Sequence, residues 1–159
     1  MIRKKILLIG DFHVGKTSLI RRYVDHAFDD TYLTTIGVKI SRKKLLLDHK
    51  EYELLIWDLE GATPQKSIPK TYYRGASGAV FVGDVSRLET IRNLDAHIAA
   101  FKEVNPDSVH VIAHNKADLL QLDQTNRFQN LENTFLTSAK EDINVDKIFT
   151  TLAKEIFHD

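Results

Sequence analysis

The segment Gly10-Asp11-Phe12-His13-Val14-Gly15-Lys16-Thr17 sets two glycines, a lysine and a hydroxyl residue at the spacing G-x-x-x-x-G-K-[ST]. That pattern is a phosphate cradle. Loop N–H groups and a helix N-terminus point at phosphate oxygens, Lys16 adds charge at the β and γ positions, and the Thr17 hydroxyl can bind Mg²⁺. His13, Val14, Gly15, Lys16, Thr17 and Ser18 are therefore the candidate phosphate-binding residues. An ordinary glycine turn ahead of an amphipathic helix would also fit eight residues, so the flanking pattern matters. Ile6-Leu7-Leu8-Ile9 precedes the segment as an apolar strand, and Leu19, Ile20 and Tyr23 follow it at helical spacing.

Further candidates stand downstream, each after an apolar strand pattern. Trp57-Asp58-Leu59-Glu60-Gly61 ends the run Glu51–Trp57, which places Asp58 to hold Mg²⁺ through a water and the N–H of Gly61 to meet a γ-phosphate. Asn115-Lys116-Ala117-Asp118 follows Val109–Ala113, and Ser138-Ala139-Lys140 follows Thr134–Thr137. An aspartate at a base site is chemically selective. Guanine offers N1–H and N2–H₂ to a carboxylate, whereas adenine offers an acceptor at N1 and no amino group at C2. Asp118 thus predicts guanine over adenine.

These segments need a scaffold that brings strand ends together. Ile6–Ile9, Ala79–Val82 and Val109–Ala113 are short, almost uninterrupted apolar runs, as strands buried on both faces of a parallel sheet require. Leu88, Ile91, Leu94, Ile98 and Phe101 mark one helix face, and Val145, Ile148, Phe149, Leu152 and Ile156 another. Val38–Leu47 and Glu51–Trp57 flank Asp48-His49-Lys50, a hairpin turn, with Arg42, Lys43 and Lys44 protecting an exposed edge. The alternation is that of a doubly wound α/β sheet, which binds ligands at the C-terminal ends of its strands.

Composition narrows the class. The 159 residues suit one domain spanning 1–159, with no internal linker. Acidic and basic residues number 22 each, so no bulk field calls for nucleic acid. There is no cysteine, which removes disulfides and thiol-linked lipid anchors, and Met1-Ile2 lacks the glycine that N-myristoylation needs. No run approaches the ~18 apolar residues of a membrane span, and Met1–Lys5 leads too soon into a strand to be a signal peptide. A cytoplasmic monomer is expected, reaching membranes only through partners.

With four nucleotide motifs in order, the chain resembles the Ras superfamily of small GTPases, and within it the Rab branch. The resemblance runs over nearly the whole length and includes Thr35-Ile36-Gly37-Val38, Leu55-Ile56-Trp57-Asp58, Tyr72-Tyr73-Arg74-Gly75-Ala76 and Gly83-Asp84-Val85-Ser86. It implies a single phosphate-loop G domain. The sheet would be mostly parallel and six-stranded, with one antiparallel edge strand and helices on both faces. GTP or GDP with Mg²⁺ would be the cofactors of a GTP-hydrolysing molecular switch in vesicle-trafficking-type signalling. By resemblance Phe28 packs edge-on against guanine beside Asn115, Lys116, Asp118, Ser138, Ala139 and Lys140. Thr35 joins Thr17 and Asp58 at the metal when GTP is bound, and Lys16, Thr35 and Gly61 carry what catalysis there is. Residues near Ala27–Gly37 and Leu59–Tyr73 become the switch segments. Effector, exchange-factor and activator proteins would bind through residues 27–40 and 57–76. Trp57 and Tyr72 either form part of that surface or pack as plain core.

The departures from the family pattern bear on chemistry. Glu60-Gly61-Ala62 stands where the family has Ala-Gly-Gln, and Ala62 cannot orient an attacking water, so hydrolysis is expected to be slow. Thr63 and Gln65 lie past the matching position, and Glu60 is expected to turn to solvent. Phe12 and His13 replace small residues; Phe12 would obstruct an activator's arginine, and His13 would be strained if its place needs φ > 0. The stretch from Asp118 to Ser138 is short, which predicts a fourth helix, around Leu120–Asn130, cut to a turn or two or lost. Lys39-Ile40 replaces an acidic-aromatic pair on the effector side. The chain stops at Asp159 without the family's hypervariable tail and terminal cysteines, so either the sequence is truncated or the protein is not prenylated. A second reading stays open, a non-catalytic interaction module keeping its nucleotide as a structural cofactor.

Overall fold

The computed structural model describes residues 1–24, 31–33, 38–59, 68–121, 123–124, 128 and 132–157, with the backbone alone at 31–33. Strands β1 (Ile2–Ile9), β2 (Thr31–Leu33), β3 (Lys39–Leu47), β4 (Lys50–Asp58), β5 (Ala76–Asp84), β6 (Val109–Asn115) and β7 (Thr134–Leu136) form one sheet in the order β2-β3-β4-β1-β5-β6-β7. Helices α1 (Lys16–Val24), α2 (Leu88–Arg92), α3 (Leu94–Val104) and α4 (Val145–Ile156) complete the described elements, with 3₁₀ turns at Lys70–Tyr73 and Ala117–Leu119.

From β4 through β1, β5 and β6 to β7 every pairing is parallel, and β3 runs antiparallel to β4. The six expected strands are all present, and the mostly parallel α/β architecture is as the sequence implied. A seventh, three-residue strand, β2, lies outside β3 and covers it only at Lys39–Ser41. Among the described residues the stretch bearing Arg42, Lys43 and Lys44 therefore remains the outer edge. The hairpin joining β3 to β4 turns on Asp48 and His49, at φ 50° and 67°, while Lys50 already pairs with Leu47. Two successive positive φ values match the twist of the flanking strands, and Asp tolerates that region better than most residues.

The core follows from the two-residue alternation of strand side chains. Ile6 and Leu8 of β1 face the side covered by α1 and α4, among Leu54, Ile56, Val80, Val111, Leu19, Ile148 and Leu152. Leu7 and Ile9 face the other side, with Ala79, Phe81, Leu94 and Phe101. All four β1 residues are at most 3 % exposed, which is why the run reads as unbroken apolar sequence. Tyr23 of α1 stacks on Phe149 of α4 with ring centroids 4.1 Å apart, locking the first helix to the last. The helix face from Leu88 to Phe101 is not one helix. It divides at Asn93 into α2 and α3, and hydrogen bonds cross the joint from Asn93 N to Glu89 O and from His97 N to Asn93 O.

Between β6 and β7 the described residues hold no α-helix, only 3₁₀ turns such as Ala117–Leu119, in keeping with the short spacing there. Trp57 and Tyr72 are half-buried against the second core face. The Lys5 ammonium lies 3.8 Å from the centre of the Trp57 ring and donates to the Tyr72 and Arg74 carbonyls at 2.7 and 2.8 Å. No helix among the described residues is long and apolar enough to cross a membrane.

Candidate functional site

The segment from Gly10 to Gly15 leaves the C-terminal end of β1 and turns into α1, which starts at Lys16. Both glycines are required by space. A Cβ on Gly10 would lie 2.3 Å from the Val82 carbonyl oxygen, so the loop exits pressed against β5. A Cβ on Gly15, which has φ +102°, would lie 2.3 Å from the Asn115 amide nitrogen. His13 between them adopts φ 62°, the left-handed region that costs a non-glycine residue about 1–2 kcal/mol. Its ring meets that of Phe12 with centroids 3.7 Å apart, and Phe12 itself is 40 % exposed.

Three successive loop carbonyls are held from outside. Arg87 Nη2 donates to the Phe12 oxygen at 2.8 Å, Lys116 Nζ to that of His13 at 3.0 Å, and Asn115 Nδ2 to that of Val14 at 3.0 Å. Ahead of them, the Asp11 carboxylate meets Asn93 Nδ2 at 2.7 Å and His97 Nε2 at 2.8 Å, at the start of α3. On the inner side Lys16 is 1 % exposed, and its ammonium donates to the Gly10 and Asp11 carbonyls at 3.0 Å each. Thr17 Oγ1 donates to Asp58 Oδ2 at 2.6 Å, which brings the proposed metal residues of α1 and β4 into contact. Ser18 is exposed on the next position of α1.

The base-side residues converge on the same end of the sheet. Asn115 uses its amide twice, since its Oδ1 accepts from Thr137 Oγ1 at 3.0 Å while its Nδ2 holds Val14. Lys116 takes φ 65°, and the turn Ala117–Leu119 then presents Asp118, whose Oδ1 accepts from Ser138 Oγ at 2.7 Å. Ala117 N donates to the Thr137 carbonyl at 2.9 Å. Arg22 of α1 grips the Ala139 and Lys140 carbonyls with Nε and Nη2 at 2.9 and 3.1 Å. Phosphate loop, Asn115–Asp118 and Ser138–Lys140 thus form one connected polar assembly.

Asp84, at the end of β5, is the anchor that sequence reasoning passed over. Its side chain is 1 % exposed, and it accepts from Ser86 N and Oγ at Oδ1 and from Arg87 Nε at Oδ2, 3.1 Å away. Lys116 Nζ lies 3.0 Å from the same Oδ2. Burial pushes this carboxyl upward, but hydrogen bonds from Ser86, Lys116 and Arg87 outweigh it and hold the group below its ordinary value. Gly83-Asp84-Val85-Ser86 is recognisable in the sequence, but nothing in its residue types assigns Asp84 to the loop. Arg87, Asn93, His97, Thr137 and Arg22 likewise escaped notice, because each acts through a partner remote in the chain.

Phe28, Thr35, Glu60, Gly61, Ala62, Thr63 and Gln65 lie outside the described residues. What is described fits a nucleotide with Mg²⁺. The approach at Gly10 and Gly15 leaves no room for side chains where backbone must bend around a ligand, and the buried Lys16 ammonium supplies charge. The Thr17 hydroxyl and Asp58 carboxylate are the hard oxygen donors that Mg²⁺ accepts.

A family model described as the Ras family matches residues 5–158. Ras-related protein Rab-13 of Rattus norvegicus is 35 % identical over 96 % of this chain and 79 % of its own. Ras-related protein RABD1 of Arabidopsis thaliana is 37 % identical over 96 % and 78 %, and Ras-related protein Rab-8A of Gallus gallus 36 % over 96 % and 77 %.

Proposed function

The chain belongs to the Ras family and is Rab-like within it, and from that premise we propose a switch that binds GTP and GDP with Mg²⁺ and hydrolyses GTP slowly. The observation that carries the reading is the double use of Asn115. One amide holds both the Val14 carbonyl of the phosphate loop and Thr137 of the base side, so triphosphate and guanine would be gripped by a single rigid unit.

Each residue then has a task. N–H groups of the loop and the first turn of α1 donate to the β-phosphate, and Lys16 exchanges carbonyl contacts for phosphate oxygens. Asp118, steadied by Ser138, accepts from guanine N1–H and N2–H₂ and repels the acceptor at adenine N1. By family resemblance Phe28 would close the base pocket, with Lys116, Ala139 and Lys140 lending the rest of its lining. Thr17, Thr35 and Asp58 would hold Mg²⁺, whose charge offsets that of the β- and γ-phosphates. Gly61 would donate its N–H to the γ-phosphate.

Slow turnover follows from Ala62, whose methyl group cannot hold a water in line. Phe12, packed against His13 on the exposed side of the loop, would also stand in the way of an activator's arginine. The reading extends to a protein that works in the cytoplasm as a monomer. It would reach membranes through partners that engage residues 27–40 and 57–76 in vesicle-trafficking-type signalling.

Single-turnover hydrolysis of GTP tests it. Ala62→Gln is expected to cleave at least about a hundredfold faster than the parent, the lower end of what one positioned group contributes. Equal rates, or a parent protein that binds neither nucleotide in calorimetry with Mg²⁺, would refute the reading.

A further inference from the structure

The structure places a cation outside the phosphate loop whose job neither the family match nor the sequence motifs assign. Arg87 stands at the start of α2, with Nε on Asp84 Oδ2 at 3.1 Å and Nη2 on the Phe12 carbonyl at 2.8 Å. Because a peptide is planar and trans, a carbonyl drawn to one side aims the following N–H to the other. Holding Phe12 O outward therefore turns the His13 N–H into the hollow of the loop. Lys116 on His13 O does the same for the Val14 N–H, and Asn115 on Val14 O for the Gly15 N–H.

The first of these peptides is the one that needs help. It leads into His13, whose φ of 62° a non-glycine side chain resists, and it follows Phe12, whose exposed ring gives the backbone little purchase. Left alone, that peptide would relax by flipping, and the His13 N–H would swing out of the hollow. We propose that Arg87, oriented by Asp84, is a positioning residue for the phosphate loop, keeping the Phe12–His13 peptide aimed at the β-phosphate despite a side chain at residue 13. Asp84 also lies 3.0 Å from Lys116 Nζ, so one buried carboxylate orients two of the three outer donors. The inference rests on the reading that this loop takes the phosphates of a guanine nucleotide.

Dissociation of fluorescent GDP in the presence of Mg²⁺ tests it, on the full chain and on Arg87→Ala, Arg87→Lys, Asp84→Asn and the double variant Arg87→Ala with His13→Gly. Removing a charge-assisted bond at a partly exposed site is expected to speed release about tenfold in Arg87→Ala. Asp84→Asn, which loosens both Arg87 and Lys116, is expected to exceed that. Arg87→Lys retains one donor and should recover part of the loss. His13→Gly should recover most of it, because glycine holds φ > 0 without an external brace. Competition by GMP, which lacks the β-phosphate, should be unchanged by Arg87→Ala. A merely structural Arg87 would weaken GDP and GMP alike, would lower the melting temperature in step, and would not be rescued at residue 13. Release unchanged in Arg87→Ala, or equal losses for GDP and GMP, overturns the inference while the nucleotide reading stands. A parent protein that binds no GDP removes both.

Discussion

Replacing Gly15 by alanine should separate what the phosphate loop needs from what any left-handed glycine needs. Gly15 has φ +102°, and an added Cβ would lie 2.3 Å from Asn115 Nδ2. Gly75, at φ +79°, is the natural control, since a Cβ there meets nothing within 4 Å. Both substitutions carry backbone strain of about 1–3 kcal/mol. Only the first also drives out Asn115, an amide 2 % exposed that donates to Val14 O and accepts from Thr137 Oγ1, each at 3.0 Å. Leaving those buried groups unpaired costs about 1–3 kcal/mol apiece, so Gly15→Ala should lose about 3–9 kcal/mol in all against about 1–3 for Gly75→Ala. For a domain with ~5–15 kcal/mol in hand the first is severe and the second tolerable. Urea unfolding gives the stability of each variant, and calorimetric titration with GDP and Mg²⁺ gives the affinity. Gly15→Ala should bind at least about a hundredfold more weakly where it folds, and Gly75→Ala as the parent does. Equal stability losses in the two variants, or parental GDP affinity in Gly15→Ala, would show that the close approach to Asn115 does not organise the site.

Two further outcomes are open to measurement. Asp118→Asn should weaken GDP on the order of 10²-fold or more, because a carboxylate acceptor becomes a donor facing N–H groups. Xanthosine diphosphate, with a carbonyl at C2, should gain, and unchanged GDP affinity would remove Asp118 from the base site. His114 is 7 % exposed and lies against Phe128; among the described residues its Nδ1 has no partner, and burial lowers its pKa to about 4. The unfolded chain protonates this ring near pH 6.5 and the folded one does not, so stability is full above pH 6.5 and falls as pH drops toward 4. At 1.36 kcal/mol per pH unit the loss approaches about 3 kcal/mol, and His114→Leu should flatten that limb of the melting profile.

The legible parts of this molecule were those that a few neighbouring residues specify. Ile6–Ile9 announces a strand buried on both faces because all four side chains are apolar, and Gly15-Lys16-Thr17 announces a helix start with a charge on it. The division of α2 from α3 at Asn93 was not legible, since Leu88, Ile91, Leu94, Ile98 and Phe101 keep helical spacing across the joint. Nor was β2, for Thr31-Tyr32-Leu33 is too short to carry an alternation and is a strand only by virtue of β3 beside it.

The site divides in the same way, and the division has a physical cause. Groups that would touch the nucleotide are constrained by its chemistry to a few residue types at fixed spacings, so Lys16, Thr17, Asn115 and Asp118 declare themselves. Groups that hold those residues in place are constrained only to reach a carbonyl or a carboxylate, which many side chains can do from many positions. Arg87 reaches Phe12 across 75 residues, Lys116 reaches His13 across 103, and Arg22 reaches Lys140 across 118. A departure such as His13 is therefore ambiguous in sequence. It reads as damage to the loop until the brace that accommodates its backbone, beyond the end of β5, is in view.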